Sequence, residues 1–204
     1  AIQWLNELGV EFDKAPDGTM ITTHGGGTSR KRMHAAKDYS GAEIMRTLRD
    51  EVLNRNVQIL DYTAAIELIK DDSGCCAGAV LMNMETKELM VAKAKTVILA
   101  TGGAGRVYRY NTNGGIVTGD GMGMALSHGV PLRDMEFVQY HPTGLPGSCI
   151  LMTEGCRGEG GILVNKNGYR YLQDYGMGPE TPLGEPKNKY MELGPRDKVS
   201  QAFW

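Results

Sequence analysis

The spacing of apolar residues predicts a helix and a hairpin at the start of the chain. Ile2, Leu5 and Leu8 recur at helical spacing, and Gly9 follows where a helix would end. The stretch VEFD predicts a short strand, PDG a turn, and TMITT the strand that returns beside it. A glycine loop with basic residues, HGGGTSRKR, comes next.

A second amphipathic helix is predicted from residue 40. Ser40 is a favourable N-cap, and Glu43 three residues later completes the pattern of a capping box. The helix GAEIMRTLRDEVLNR then places four apolar side chains on one face, and we expect them to be buried: Ile44, Met45, Leu48 and Val52. We interpret this helix as structural.

From residue 57 the apolar period changes from helical to alternating. Short segments separated by turn residues predict an antiparallel meander, and they read VQILDY, AAIELIKD, AGAVLMNM and ELMVAKA. The next segment, KTVILA, is continuously apolar, which is typical of a strand buried on both faces of a parallel sheet. The fold class predicted from these elements is α/β with α+β features.

Glycines are clustered just before a third predicted helix. In TGDGMGMALSHG, three alternate glycines precede an apolar helix that we expect to end at Gly129. Such a helix start leaves backbone N–H groups open to phosphate or ribitol oxygens. The pattern alone is weak, but its position after KTVILATGG favours a nucleotide or flavin. After Pro131 the apolar periodicity becomes unclear, and residues 135–204 contain most of the prolines. We therefore predict a domain boundary near residue 134.

Composition narrows the function classes. Lys plus Arg total 22 against 24 Asp plus Glu, so a net charge of −2 gives no indication of nucleic acid as a partner. No apolar run reaches the roughly 18 residues that a membrane span needs. The four cysteines form no metal-ligand pattern, and we predict no metal site. The 28 glycines are clustered, which suggests backbone approaching a ligand.

Five motifs stand out along the chain: ATGGAGRVYRYNTNGGIVTGDGMGMALSHG, QYHPTG, TEGCRGEGG, NKNGYRY and GPRDKVS. Together they resemble a known family, the flavoprotein subunits of fumarate reductase and succinate dehydrogenase. Over residues 101–204 the chain looks most similar to bacterial quinol-linked fumarate reductases. Residues 1–100 resemble the family more loosely and are partly similar to L-aspartate oxidase, which remains an alternative.

The resemblance implies a cofactor, partners and a location. We expect FAD, held by part of a glutathione-reductase-like FAD-binding domain over residues 1–134, with part of a capping domain over 135–204. The substrate would be fumarate or succinate, and the partners an iron–sulfur subunit and membrane anchor subunits. These would hold the protein peripherally at the cytoplasmic face of the inner membrane.

The family's opening GxGxxG unit and its covalent flavin histidine have no counterpart in this chain. We therefore expect an internal part of a longer protein, and we expect the 204 residues alone to be inactive.

The resemblance also implies site residues. Arg196 matches the proton donor to the substrate, and Glu154 with Arg157 matches a relay that returns a proton to it. His141 and Thr153 match groups that bind substrate carboxylates. The positions expected near FAD are Gly102, Gly103 and Asp120.

Each of these assignments has a plainer alternative. Glu154 and Arg157, three residues apart, can form an ordinary surface ion pair, and Arg196 can pair with Asp197 at a helix start. His141 can be structural, and Asp120 can be the N-cap of its helix. The four glycines around Glu154 and Arg157 in TEGCRGEGG favour the catalytic interpretation, because a surface ion pair does not require them.

Overall fold

The computed structural model describes residues 1–177 and 191–203, which divide into two compact units. The first unit comprises Ala1–Gln58, Gln139–Leu145 and Leu151–Trp204, and the second comprises Ile59–Val138 and Pro146–Ile150. The domain boundary expected near residue 134 stays a prediction.

The regular elements described in the first unit are helices. Its α-helices are α1 (Ile2–Glu7), α2 (Ser40–Asn54), α4 (Glu154–Gly158) and α5 (Arg196–Gln201), with 3₁₀ turns at Tyr171–Tyr175 and Met191–Leu193. The predicted first helix is confirmed, because α1 stops just before Gly9, whose φ is 101°. The start predicted for a helix at PRDKV is also confirmed, with Pro195 as the N-cap of α5.

The predicted hairpin at the start of the chain forms only in part. The turn is confirmed, since Asp17 accepts a hydrogen bond from the Thr19 N–H at 2.9 Å and Gly18 has a φ of 84°. VEFD and TMITT form no regular strands, and their pairing is limited to an isolated bridge between Lys14 and Met20. One bridge gives too few ladder hydrogen bonds to define a strand.

The capping box predicted for α2 is wrong, although the helix itself is confirmed. Tyr39 is the N-cap, and the Ser40 hydroxyl accepts a hydrogen bond from the Ala36 N–H at 2.9 Å instead. The Glu43 carboxylate is bound by Arg46 at 2.7 Å and by the backbone N–H of Glu11 at 3.2 Å. The expected burial of four apolar side chains is not met: Ile44, Leu48 and Val52 are half-buried, Met45 is 65% exposed, and Thr47 is the buried residue of the helix.

The second unit contains the predicted antiparallel meander. Strands β1 (Thr63–Lys70), β2 (Cys76–Asn83) and β3 (Leu89–Lys93) lie in the order β1-β2-β3. Asp71 closes the first turn, since its carboxylate accepts from the N–H groups of Ser73 and Cys75, both at 2.9 Å. A 3₁₀ turn at Gly105–Val107 and helix α3 (Asp120–Ser127) complete the unit.

Two predicted strands are absent from the structure. Residues 57–62 are irregular because Asn56 and Tyr62 adopt left-handed φ values of 53° and 49°, which a pleated strand does not accommodate. The KTVILA segment is also irregular, and Ile98 is 85% exposed. A parallel strand requires hydrogen-bonded neighbours, and the strands within residues 1–177 and 191–203 all belong to the meander.

A buried apolar cluster lies in the first unit. It consists of Leu172, Met177, Met191, Val199 and Ala202, with Leu163 and Tyr171 packed against it. Val199 joins α5 to the turn at Met191–Leu193, so the cluster fixes the start of α5, where Arg196 lies.

This cluster should dominate the stability of the first unit. Leu172 is 0% exposed, so Leu172→Ala should lower the free energy of unfolding of the chain by about 2–5 kcal/mol, through lost burial and the cavity left behind. Leu89→Ala, at a side chain that is 68% exposed, is the matched control and should cost much less. Urea unfolding followed by circular dichroism measures both, and equal losses would contradict this description of the core.

Candidate active site

The stretch TEGCRGEGG forms one helical turn that places an acidic and a cationic side chain next to each other. Thr153 is the N-cap of α4, and its hydroxyl accepts a hydrogen bond from the Gly155 N–H at 3.2 Å. Glu154 and Arg157 follow on one face, with Nη2 of Arg157 3.8 Å from Oε2 of Glu154. Gly161 closes the turn where a side chain would not fit, because a Cβ there would lie 2.6 Å from the Cys156 carbonyl oxygen.

The Glu154 carboxylate is the point where three separate stretches of the first unit meet. The Gly26 N–H donates to Oε1 at 2.6 Å, and Nε of Arg196 donates to Oε2 at 3.3 Å. Arg157 supplies the second positive charge. The side chain of Glu154 is 21% exposed, so these groups replace much of the water that a carboxylate would otherwise bind.

The glycine loop is packed closely against this carboxylate. A Cβ added to Gly26 would lie 2.6 Å from Oε2 of Glu154. Gly27 has a φ of 71°, and a Cβ there would lie 3.1 Å from Cα of Pro195. Glycine at both positions therefore lets the backbone reach Glu154 and the start of α5.

The charges around Glu154 favour its ionised form. Burial raises the pKa of Glu154, but the Gly26 hydrogen bond and the charges of Arg196 and Arg157 outweigh it, so the pKa lies below its ordinary value. The carboxylate is therefore ionised at neutral pH.

Arg157 is the most deeply buried charge of the site. The residue is 5% exposed, and its Nη1 donates to the backbone carbonyl of Glu192. Nε and Nη2 make no hydrogen bond to any part of the chain that the structure describes. Burial lowers the pKa of Arg157, Glu154 opposes this effect, and Arg196 adds to it, so the net shift is downward.

Arg196 is the accessible cation of the group. It is the first residue of α5, its side chain is 37% exposed, and its Nη1 lies 3.4 Å from Oε1 of Gln139. Its ion pair is with Glu154 rather than with Asp197, so the plainer alternative for Arg196 is wrong.

His141 belongs to the same unit and interacts electrostatically with this cluster. Its Nδ1 is 2.9 Å from the Thr143 carbonyl oxygen. Burial lowers the pKa of His141, the Thr143 hydrogen bond and the Glu154 charge oppose this effect, and the charges of Arg196 and Arg157 add to it, so the net shift is downward. The imidazole is therefore held neutral, and its Nδ1 lies near both the carbonyl oxygen and the N–H of Thr143, while Nε2 is the other ring nitrogen.

The residues expected near FAD lie in the second unit. Gly102 has a φ of 77°, and a Cβ there would meet nothing within 4 Å, so its backbone borders open space. The Gly103 carbonyl accepts from the Gly119 N–H at 3.1 Å, which joins the ATGG turn to the start of α3. Gly119 is the N-cap of α3 with a φ of 81°, so the proposal that Asp120 is the N-cap is wrong.

This arrangement fits a flavin nucleotide. Asp120 is exposed, and its carboxylate accepts from the Thr118 hydroxyl at 2.8 Å while retaining other lone pairs. A Cβ at Gly119 would lie 2.9 Å from Cβ of Ala104, so glycine is needed for the close contact between turn and helix. The N–H donors at the start of α3 suit phosphate oxygens. The Asp120 carboxylate can accept a hydrogen bond from a hydroxyl group.

Neither a membrane helix nor a metal cluster emerges from the described residues. None of the helices within 1–177 and 191–203 combines the length and the apolar character needed to cross a bilayer. In the same ranges, His, Cys, Asp and Glu side chains nowhere gather in threes as a metal would require.

Sequence reasoning missed three contributors to the site: Gly26, Gln139 and Glu192. The HGGG cluster was a signal for the first, since glycines in a basic loop permit close backbone approach. Nothing local distinguishes Gln139 or Glu192, because each acts through a contact distant in sequence.

The chain belongs to the FAD binding domain family, which matches it over residues 1–204. Within that class its similarity is to fumarate reductase flavoprotein subunits. The subunit of Escherichia coli strain K12 is 66% identical over 197 residues, which cover 96% of this chain and 33% of that protein. The succinate dehydrogenase flavoprotein subunit of Rickettsia felis is 42% identical. The match covers 100% of this chain and 33% of that protein.

A solved structure gives the same result. A mutant form of Escherichia coli quinol fumarate reductase superimposes with a TM-score of 0.96 at 64% identity, over 100% of this chain and 35% of that one. The chain thus spans about a third of the length of these relatives. The predicted family, fold class and FAD cofactor are confirmed.

The lowered pKa of Glu154 predicts a pH-dependent stability. A carboxylate whose folded-state pKa is below its unfolded value of 4.5 stabilises the fold above that value, and the contribution is lost as the pH falls through the folded pKa. Glu154→Gln should therefore lower the free energy of unfolding at pH 7, and the difference from wild type should shrink below about pH 4.5.

Urea unfolding at a series of pH values measures this difference, with Glu85→Gln as an exposed control. A difference that stays constant from pH 7 to pH 3 would show that the Glu154 charge is not involved.

Proposed function

We propose that this chain is part of a flavoprotein subunit that interconverts fumarate and succinate. The observation that supports this most is the convergence of Arg196, Arg157 and the Gly26 N–H on the Glu154 carboxylate. FAD, when bound, supplies or accepts the hydride at its N5 atom. The remaining chemistry is the transfer of one proton to or from a substrate carbon beside two carboxylates.

Arg196 is proposed as the proton donor to the substrate. Its guanidinium is partly exposed, so it can approach a bound dicarboxylate while Nε keeps its contact with Glu154. An arginine is a very weak acid in water. The carbon that receives the proton is a carbanion-like centre, however, and so strong a base can take a proton from a weak acid.

Glu154 and Arg157 are proposed to restore the proton. Glu154 lies within hydrogen-bond distance of Arg196, at 3.3 Å, so it can pass a proton to Arg196 directly. The 3.8 Å between Arg157 and Glu154 exceeds a normal hydrogen bond. A shift of several tenths of an ångström, or a bridging water, would complete this step. The buried Nη2, which lacks a hydrogen bond to the described residues, is the donor available for it.

The substrate carboxylates are proposed to be held by His141 and Thr153 together with Arg196. The Nε2 of His141 and the hydroxyl of Thr153 can each bind an anion, the imidazole when protonated at Nε2 and the hydroxyl as a donor. Thr153 is already the N-cap of α4, so its hydroxyl oxygen accepts from Gly155 while its hydrogen remains available.

We propose the rest of the assembly by analogy with the relatives. Gly102, Gly103 and Asp120 would face FAD, and residues 135–204 would form part of the capping domain. By the family resemblance, the partners would be an iron–sulfur subunit and membrane anchor subunits. The subunit would then lie at the cytoplasmic face of the inner membrane.

The assay that tests this function is fumarate reduction by the full-length, FAD-loaded flavoprotein with a reduced dye as electron donor. The wild-type protein should turn over, and Arg196→Lys should lower kcat by about 10²–10⁴-fold while changing KM far less. The reason is that the lost interaction belongs to the transition state, since a lysine ammonium does not reproduce the guanidinium fork.

Arg133→Lys is the matched control, because the Arg133 side chain is 91% exposed and pairs only with its neighbour Asp134 among the described residues. It should leave both constants unchanged. If Arg196→Lys raised KM and left kcat intact, Arg196 would be a binding residue and not the donor.

A further inference from the structure

A buried ion pair lies beneath the Glu154 site. Arg170 and Glu192 are 8% and 3% exposed, and two parallel hydrogen bonds join them, Nε to Oε1 at 2.8 Å and Nη2 to Oε2 at 2.7 Å. The Leu163 N–H also donates to Oε1 of Glu192 at 3.3 Å. A two-point contact of this kind fixes both the distance and the orientation of the carboxylate.

The backbone that carries Glu192 makes two consecutive contacts to the site. The Glu192 carbonyl accepts from Nη1 of Arg157, and the Leu193 carbonyl accepts from the Gly27 N–H at 2.9 Å. The first contact holds one cation that faces Glu154, and the second holds the loop whose Gly26 N–H binds Glu154. Three residues after Leu193 the chain reaches Arg196, the second cation.

The turn that makes these contacts is conformationally unusual. Met191 adopts a φ of 52°, in the left-handed region that non-glycine residues rarely occupy. Such a conformation persists only where the surroundings determine it. Burial in the Leu172 cluster and the hydrogen bond from the Met191 N–H to the Met177 carbonyl hold one end of the turn, and the ion pair holds the other.

We propose that Arg170 and Glu192 are positioning residues for the reaction at Glu154. Their ion pair orients the Met191–Leu193 turn so that its two carbonyls hold Arg157 and the glycine loop against Glu154. Neither residue touches Glu154. A buried ion pair is a poor way to gain stability compared with apolar packing, but a bidentate one defines a geometry. This inference rests on the proposed role of Glu154.

The test uses Arg170→Lys in the full-length, FAD-loaded flavoprotein. Lysine keeps the charge but cannot make the two parallel hydrogen bonds, so the turn should loosen and Arg157 should move. We expect kcat for fumarate reduction to fall by about ten- to a hundredfold, with KM changed by less than about threefold. Arg46→Lys is the matched control, because Arg46 lies 2.7 Å from Glu43 in an ion pair whose arginine is 54% exposed. It should change neither constant.

The pH dependence of kcat gives a readout that general destabilisation would not move. The charged and titratable groups that face Glu154 are Arg157, Arg196 and His141. The groups that face Arg157 are Glu154, Arg196, Glu192 and Cys156. When Arg157 moves away, the pKa of Glu154 should rise toward its ordinary value. The acidic limb of the kcat profile should then move to higher pH.

Two further variants make each outcome decisive. If Arg170→Lys does not fold, Glu192→Gln gives the same test, because glutamine keeps the shape and removes the charge. If either variant melts at a lower temperature but keeps its kcat per bound FAD and its pH profile, the pair is only structural and the inference is overturned. Glu154→Gln separates the proposed role of Glu154 from the positioning role of Arg170 and Glu192. If Glu154→Gln lowers kcat while Arg170→Lys has normal kinetics, the positioning role alone is refuted. If Glu154→Gln keeps full activity, both proposals are refuted.

Discussion

The first unit depends on one constraint. The Glu154 carboxylate is largely removed from water, so other groups of the chain must replace the water that would bind it. Glu154 obtains a backbone N–H from Gly26 and positive charges from Arg157 and Arg196. Because an unpaired buried charge is strongly unfavourable, these groups must stay in contact wherever the chain places them. The glycine loop, α4 and the start of α5 therefore meet at a single side chain.

Glycine makes this convergence possible at close range. A side chain at Gly26 would meet the carboxylate, one at Gly27 would meet Pro195, and one at Gly161 would meet the turn of α4. The clustered glycines thus serve two kinds of contact. In the first unit they admit backbone to a protein carboxylate, and in the second they bring the ATGG turn against the start of α3, where the proposed flavin contacts lie.

Local patterns predicted what depends on local interactions. The spacing of α1 and α2, the turns of the meander and the start of α5 were all evident from the sequence, as was the one-turn separation of Glu154 and Arg157. The strand expected at KTVILA failed because a strand requires neighbours that no local pattern supplies. The contact of Gly26 with Glu154 joins residues 128 positions apart, and the sequence indicates only that glycine is present. The Ser40 cap failed for a local reason, because its hydroxyl accepts a hydrogen bond from the Ala36 N–H four residues earlier.

The most direct test of Glu154 as the organising group is Gly26→Ala in the full-length, FAD-loaded flavoprotein. The added Cβ should displace the carboxylate from Arg196 and weaken the backbone hydrogen bond, so kcat for fumarate reduction should fall about tenfold or more. Gly41→Ala in α2 is the control, because a Cβ there meets nothing within 4 Å and alanine favours a helix. Loss of turnover in the first variant and not the second is the result we predict. Equal activity in both would contradict the account.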